Sequence, residues 1–130
     1  MHKRIYLQPM TFTPYDEAHV IAYLNEEIVE DYLPDDADPT VRPVKAYAYT
    51  GTEADGGTIL LVSDLSRDSL INGIIRVQYS QSKEDAIKTH RLLSMEDPDC
   101  PKAGEYASEW AKFKIDREEA ISLVDKWLAD

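Results

Sequence analysis

Few side chains in this sequence are suited to acid–base or nucleophilic chemistry: His2, His19, His90 and a lone cysteine, Cys100. The one nucleophilic arrangement they allow is a thiol–imidazole pair. Cys100 lies in Asp97-Pro98-Asp99-Cys100-Pro101, where the neighbouring carboxylates disfavour a thiolate. His90 falls near the apolar side of a predicted helix, the usual setting of a structural histidine, and no orienting carboxylate can be assigned to it. One cysteine and three scattered histidines supply no zinc pattern. No Gly-x-Ser-x-Gly elbow occurs. Gly51, Gly56 and Gly57 make a glycine-bearing turn, but no Gly-Lys-Ser/Thr follows and the next element reads as a strand, so no phosphate cradle is expected. Asp36-x-Asp38, next to Asp35, begins like a calcium loop but lacks that loop's later glycine and glutamate. The expectation is a protein with no metal, no cofactor and no catalytic residues.

Carboxylates are what the chain has in excess. Its 130 residues carry 25 Asp and Glu against 14 Lys and Arg, a formal charge of −11. That excludes a general phosphate-backbone binder, so no direct nucleic-acid contact is expected. No apolar run approaches a membrane span. The single cysteine permits no internal disulfide, and the N-terminal residues do not resemble a secretory leader, so a cytoplasmic chain is expected.

The acidity is local. Between Ile5 and Val41 there are nine carboxylates and no Lys or Arg. Glu26, Glu27, Glu30 and Asp31 fall in the last turns of a predicted helix, where the macrodipole makes each exposed negative charge cost about 0.3–1 kcal/mol. Glu26–Glu30 and Glu27–Asp31 are also like-charge pairs one turn apart. Asp35, Asp36 and Asp38 follow in a proline-rich loop. Tyr23 and Tyr32 lie on or beside this helix, and tyrosine is a common interface anchor. Those nine residues are the candidate site. They suggest a non-enzymatic module that docks on a basic protein surface, of the inhibitor, immunity or nucleic-acid-mimic type. The plainer alternative is a solvated acidic face that aids solubility. A second class of function is a small enzyme or ligand-binding domain with no recognisable motif, marked by a pocket around His90 or Cys100. A homo-oligomer with Trp110 or Trp127 at the contact is a third.

The elements that must carry these residues follow from periodicity. Residues 3–12 read as a strand. Thr13 and Pro14 start a helix that runs to about Asp31, with Ala18, Ile21, Leu24, Ile28 and Tyr32 as its buried stripe. Residues 44–50 and 58–63 read as a hairpin around the turn 51–57. Ile71, Gly73, Ile75, Val77 and Tyr79 alternate, as a strand does. Ser82 caps a helix to about Met95. Residues 105–115 fit both periods and lean towards strand, because Asp116 would cap a final helix over 117–128. The order is βαβββαβα. The predicted fold is a single α+β domain over 1–130, a mainly antiparallel sheet of about five strands with three helices on one face.

Arg4-Ile5-Tyr6-Leu7-Gln8-Pro9-Met10, followed by a helix ending in Leu24-Asn25-Glu26, resembles the opening strand and helix of the general-control-type N-acetyltransferases. That family holds the acetyl-CoA pyrophosphate with a Gln/Arg-x-x-Gly-x-Gly/Ala turn. The corresponding residues here, Val77-Gln78-Tyr79-Ser80-Gln81-Ser82-Lys83, contain no glycine, so the resemblance implies no cofactor site.

Overall fold

Alternation, not helical spacing, organises the first half of the chain. The computed structural model describes residues 1–34 and 42–129. Among them are six strands, β1 (His2–Tyr6), β2 (Phe12–Pro14), β3 (His19–Ala22), β4 (Glu27–Tyr32), β5 (Val44–Gly51) and β6 (Thr58–Leu61), followed by three helices, α1 (Arg67–Gln78), α2 (Gln81–Glu96) and α3 (Ala103–Leu128). The fold is α+β, as the sequence predicts. The element order is not: all the described strands precede all the described helices. The chain divides into two compact units, Met1–Leu61 and Val62–Asp130.

The first unit holds two three-stranded antiparallel sheets, ordered β1-β5-β4 and β2-β3-β6. β5 reads Ala46-Tyr47-Ala48-Tyr49, so one of its faces is small and the other aromatic. On the aromatic side Tyr49 meets Tyr6 and Tyr23, with ring centroids 5.8 to 6.1 Å apart in edge-on or tilted pairs. Val20, Ala22, Leu24, Ala46, Ala48 and Leu60 are buried as well. The predicted hairpin over 44–63 is not formed. β5 pairs with β1 and β4, whereas β6 pairs with β3. The turn between β5 and β6 does need its glycines: Gly56 sits at φ +84, and a Cβ there would come within 2.7 Å of the Tyr49 carbonyl.

The predicted helix over 13–31 is instead β2, β3 and β4. Asp16, read as the partner of an N-cap, makes an Asx turn between β2 and β3: its Oδ1 accepts from the Ala18 amide at 2.8 Å and bonds His19 Nδ1 at 2.8 Å. Short polar side chains close turns as readily as they cap helices. Asn25 then turns the chain at φ 57, which no continuing helix permits. Ile28, assigned to the buried stripe, is 48% exposed. The resemblance to the acetyltransferase opening therefore fails at its helix. The strand expected over 3–12 is likewise broken, into β1 and β2.

The second unit is helical. Ser66 and Ser80 cap α1 and α2 by accepting from the amides of Ser69 and Lys83. The strand predicted over 71–79 is α1. Leu70 is fully buried, and Leu70–Ile74 and Ile71–Ile75–Tyr79 are helical spacings that the alternating Ile71, Gly73 and Ile75 concealed. Residues 105–115 are also helical. Tyr106, Trp110 and Phe113 follow the helical period, and Asp116 lies inside α3 instead of capping a helix. α1 and α2 each pack on α3 around Phe113, Ala120 and Val124.

Candidate functional site

Glu26, Glu27, Glu30 and Asp31, predicted at the end of a helix, lie instead at or beside one edge of a sheet, because β4 is an outer strand of the β1-β5-β4 sheet. The helix-dipole and one-turn repulsion arguments for their function therefore lapse. Glu27 pairs across β5 to Lys3 on β1, Nζ to Oε2 2.9 Å. Glu26, half-buried just before β4, accepts from the Tyr49 hydroxyl at 3.2 Å. Glu30 and Asp31 fall where the β4–β5 register shifts between Val29 and Tyr32, so two residues oppose the single Lys45. Asp31 takes φ 54, the left-handed conformation that Asp tolerates better than most side chains. Lys45 does not pair with either; its Nζ lies 5.7 Å over the Tyr47 ring. Both Glu30 and Asp31 are exposed and make no ion pair among the described residues.

The tyrosines separate. Tyr32 is half-buried on β4 and pairs with Val44. Tyr23 is only 5% exposed and is no surface anchor. Its hydroxyl donates to Asp55 Oδ2 at 2.8 Å, while the Tyr6 hydroxyl donates to the Asp55 carbonyl at 2.6 Å. Burial first, and then the Asp55 hydrogen bond, push the Tyr23 phenol well above its ordinary value. Asp55 is held below the usual carboxylate range by the Gly57 amide and then by Tyr23. This network is a satisfied core, not a reactive site. Asp35, Asp36 and Asp38 lie outside the described residues.

The alternative centre lies in the helical unit. His90 Nδ1 is 2.6 Å from Glu109 Oε1, and its ring stacks on Tyr106 at 4.2 Å and 12°. Glu109 is the orienting carboxylate that the sequence does not supply, since the pattern over 105–115 leans towards strand. The spacing Tyr106–Glu109 across one helical turn was the available signal. Cys100, half-buried, lines an open groove of about 360 Å³ with Leu93, Asp97, Pro101, Lys102 and Tyr106. His90 hydrogen-bonds no Ser, Thr or Cys among the described residues, so the base–orienter pair has no nucleophile. No group of three or more His, Cys, Asp or Glu among the described residues is placed to hold a metal. No helix among them is long and apolar enough to cross a membrane.

Comparison with known protein families, with curated proteins and with solved structures finds no match to this chain.

Proposed function

We propose that the chain is a non-enzymatic protein-binding module whose acidic β4 edge docks on a basic surface of a partner protein. The observation that supports this most directly is the bulge. Glu30 and Asp31 stand exposed on an open strand edge, opposite a lysine that does not neutralise them. Carboxylates and a bulge on an edge strand also discourage edge-to-edge pairing with a second, equally acidic copy. What they leave favourable is side-chain attraction to a cationic surface, which speeds association and weakens with salt. An inhibitor, an immunity protein or a mimic of nucleic acid would work this way. The lone cysteine accords with a reducing, cytoplasmic setting.

The test compares the intact chain with a Glu30→Lys/Asp31→Asn variant as baits for extract of the native cell. Asparagine keeps the left-handed backbone while removing the charge. A Glu118→Lys/Glu119→Lys variant, altered in the other unit, is the control. A basic protein held by the wild type and the control, lost from the β4 variant and released at about 0.5 M salt is the expected outcome. Equal retention by all three baits overturns the reading.

The competing reading, a small enzyme or ligand-binding domain, rests on the His90–Glu109 pair and the groove at Cys100. It requires that Cys100→Ser or His90→Gln abolish the chain's cellular effect while leaving capture of the basic partner intact.

A further inference from the structure

α2 is amphipathic in the wrong sense for its own unit. Its buried positions are Glu84, Ile87 and Ser94, so two of the three are polar. Leu92 and Met95, by contrast, are each 61% exposed. Glu84 is tolerated inside because Arg76 and Lys88 reach its two oxygens at 3.1 and 2.8 Å. Nothing comparable explains the outward leucine and methionine. Lys88, Arg91, Leu92 and Met95 stand at i, i+3, i+4 and i+7, a single stripe along about two turns of helix. Trp110 of α3 walls this stripe, and together the five residues bound an open groove of about 420 Å³.

The groove is also charged against the trend of the chain. Its lining holds Lys88 and Arg91 and no carboxylate, in a protein of net charge −11. Lys88 already serves Glu84, but Arg91 has no ion pair among the described residues. Exposed Leu92 and Met95 beside the half-buried Trp110 call for apolar side chains, and an unpaired guanidinium beside them calls for a carboxylate. Trp and Arg are the residue types that dominate binding energy at interfaces, and Met adapts to irregular partners. The groove is a trough along a helix, not an enclosed cavity, which suits a helix laid lengthwise more than a small molecule.

We infer that this groove takes an acidic amphipathic helix of a partner protein, with apolar anchors on Leu92, Met95 and Trp110 and carboxylates on Arg91 and the rim at Lys88. It is a second surface, opposite in sign to the β4 edge and independent of it.

The test uses two labelled peptides of about 16 residues, long enough to span the stripe once helical. Both carry leucine at i, i+3, i+4 and i+7, one with glutamate elsewhere and the other with lysine. Binding to the full chain is read by fluorescence anisotropy at about 0.05 M salt. The glutamate peptide is expected to bind, and Arg91→Glu and Leu92→Ser/Met95→Ser are each expected to weaken it about tenfold or more. Glu30→Lys should leave that binding unchanged, which separates failure here from failure of the β4 reading. Circular dichroism checks that the variants keep their helices; should Leu92→Ser/Met95→Ser not fold, Arg91→Glu alone decides. No binding of the glutamate peptide, or equal binding by wild type and variants, overturns the inference. So does a wild-type dimer that Leu92→Ser/Met95→Ser converts to monomer, since a second copy would then be the occupant.

Discussion

Tyr79 is 5% exposed and donates to Asp116 Oδ2 at 2.5 Å, while Lys112 Nζ reaches the same oxygen at 2.6 Å. The Lys112 hydrogen bond, and then that of Tyr79, hold the Asp116 carboxyl below the usual carboxylate range. A carboxylate whose folded pKa is depressed contributes stability above its unfolded pKa of about 3.9, and loses it as pH falls through the lower folded value. Tyr79→Phe is therefore expected to cost about 1.5–3 kcal/mol at neutral pH, the worth of a hydrogen bond to a charged group. Asp116→Asn should flatten the fall in stability below about pH 4. Urea unfolding across that range measures both, and an unchanged acid slope in Asp116→Asn would show that the contact contributes nothing. No sequence pattern announced this trio. Lys112 and Asp116 sit one helical turn apart, but the pattern over 105–115 leans towards strand, which puts that helical relation out of reach.

At the scale of elements, β4 depends on a backbone conformation more than on burial, because Asp31 occupies φ 54 at the bulge. Valine there would meet the β-branched penalty of the left-handed region, so Asp31→Val should destabilise by about 1–2 kcal/mol. Asp31→Gly should be neutral or slightly stabilising. Thermal melts of the two variants at equal pH give the comparison; a Val variant as stable as the Gly variant would contradict the bulge. The same stretch shows how far periodicity alone carries. Ala18, Ile21, Leu24, Ile28 and Tyr32 keep a helical interval, yet the chain turns at Asp16 and at Asn25 and bulges at Asp31. Asp and Asn serve caps and turns alike, so they could not arbitrate. β-Branched Val20-Ile21 and Ile28-Val29 are the better guide. In the opposite direction, alternation at 71–79 hid Leu70, whose full burial belongs to a helical face. Ser80 caps α2 two residues ahead of the expected Ser82, and α3 ends at Leu128 as the pattern predicts although it begins at Ala103 and not after Asp116, because caps and helical stripes are strong local signals.

For the whole molecule, the local excess of carboxylates is legible in composition and the α+β class in the mix of periodicities, whereas the segregation of strands and helices into separate units is not, since that depends on which segments pair over long separations. The charge also makes a demand that separates folding from docking. A chain at −11 repels itself, so added salt should screen the repulsion and raise its melting temperature. The same salt should weaken capture of a basic partner through Glu30 and Asp31. Raising salt from about 0.05 to about 0.5 M is therefore expected to move stability and affinity in opposite directions. Glu30→Lys should soften both trends, because it removes one exposed negative charge and adds a positive one at the same place. If wild-type affinity is indifferent to salt while stability rises, the acidic edge serves only solubility, and the partner, if there is one, binds elsewhere.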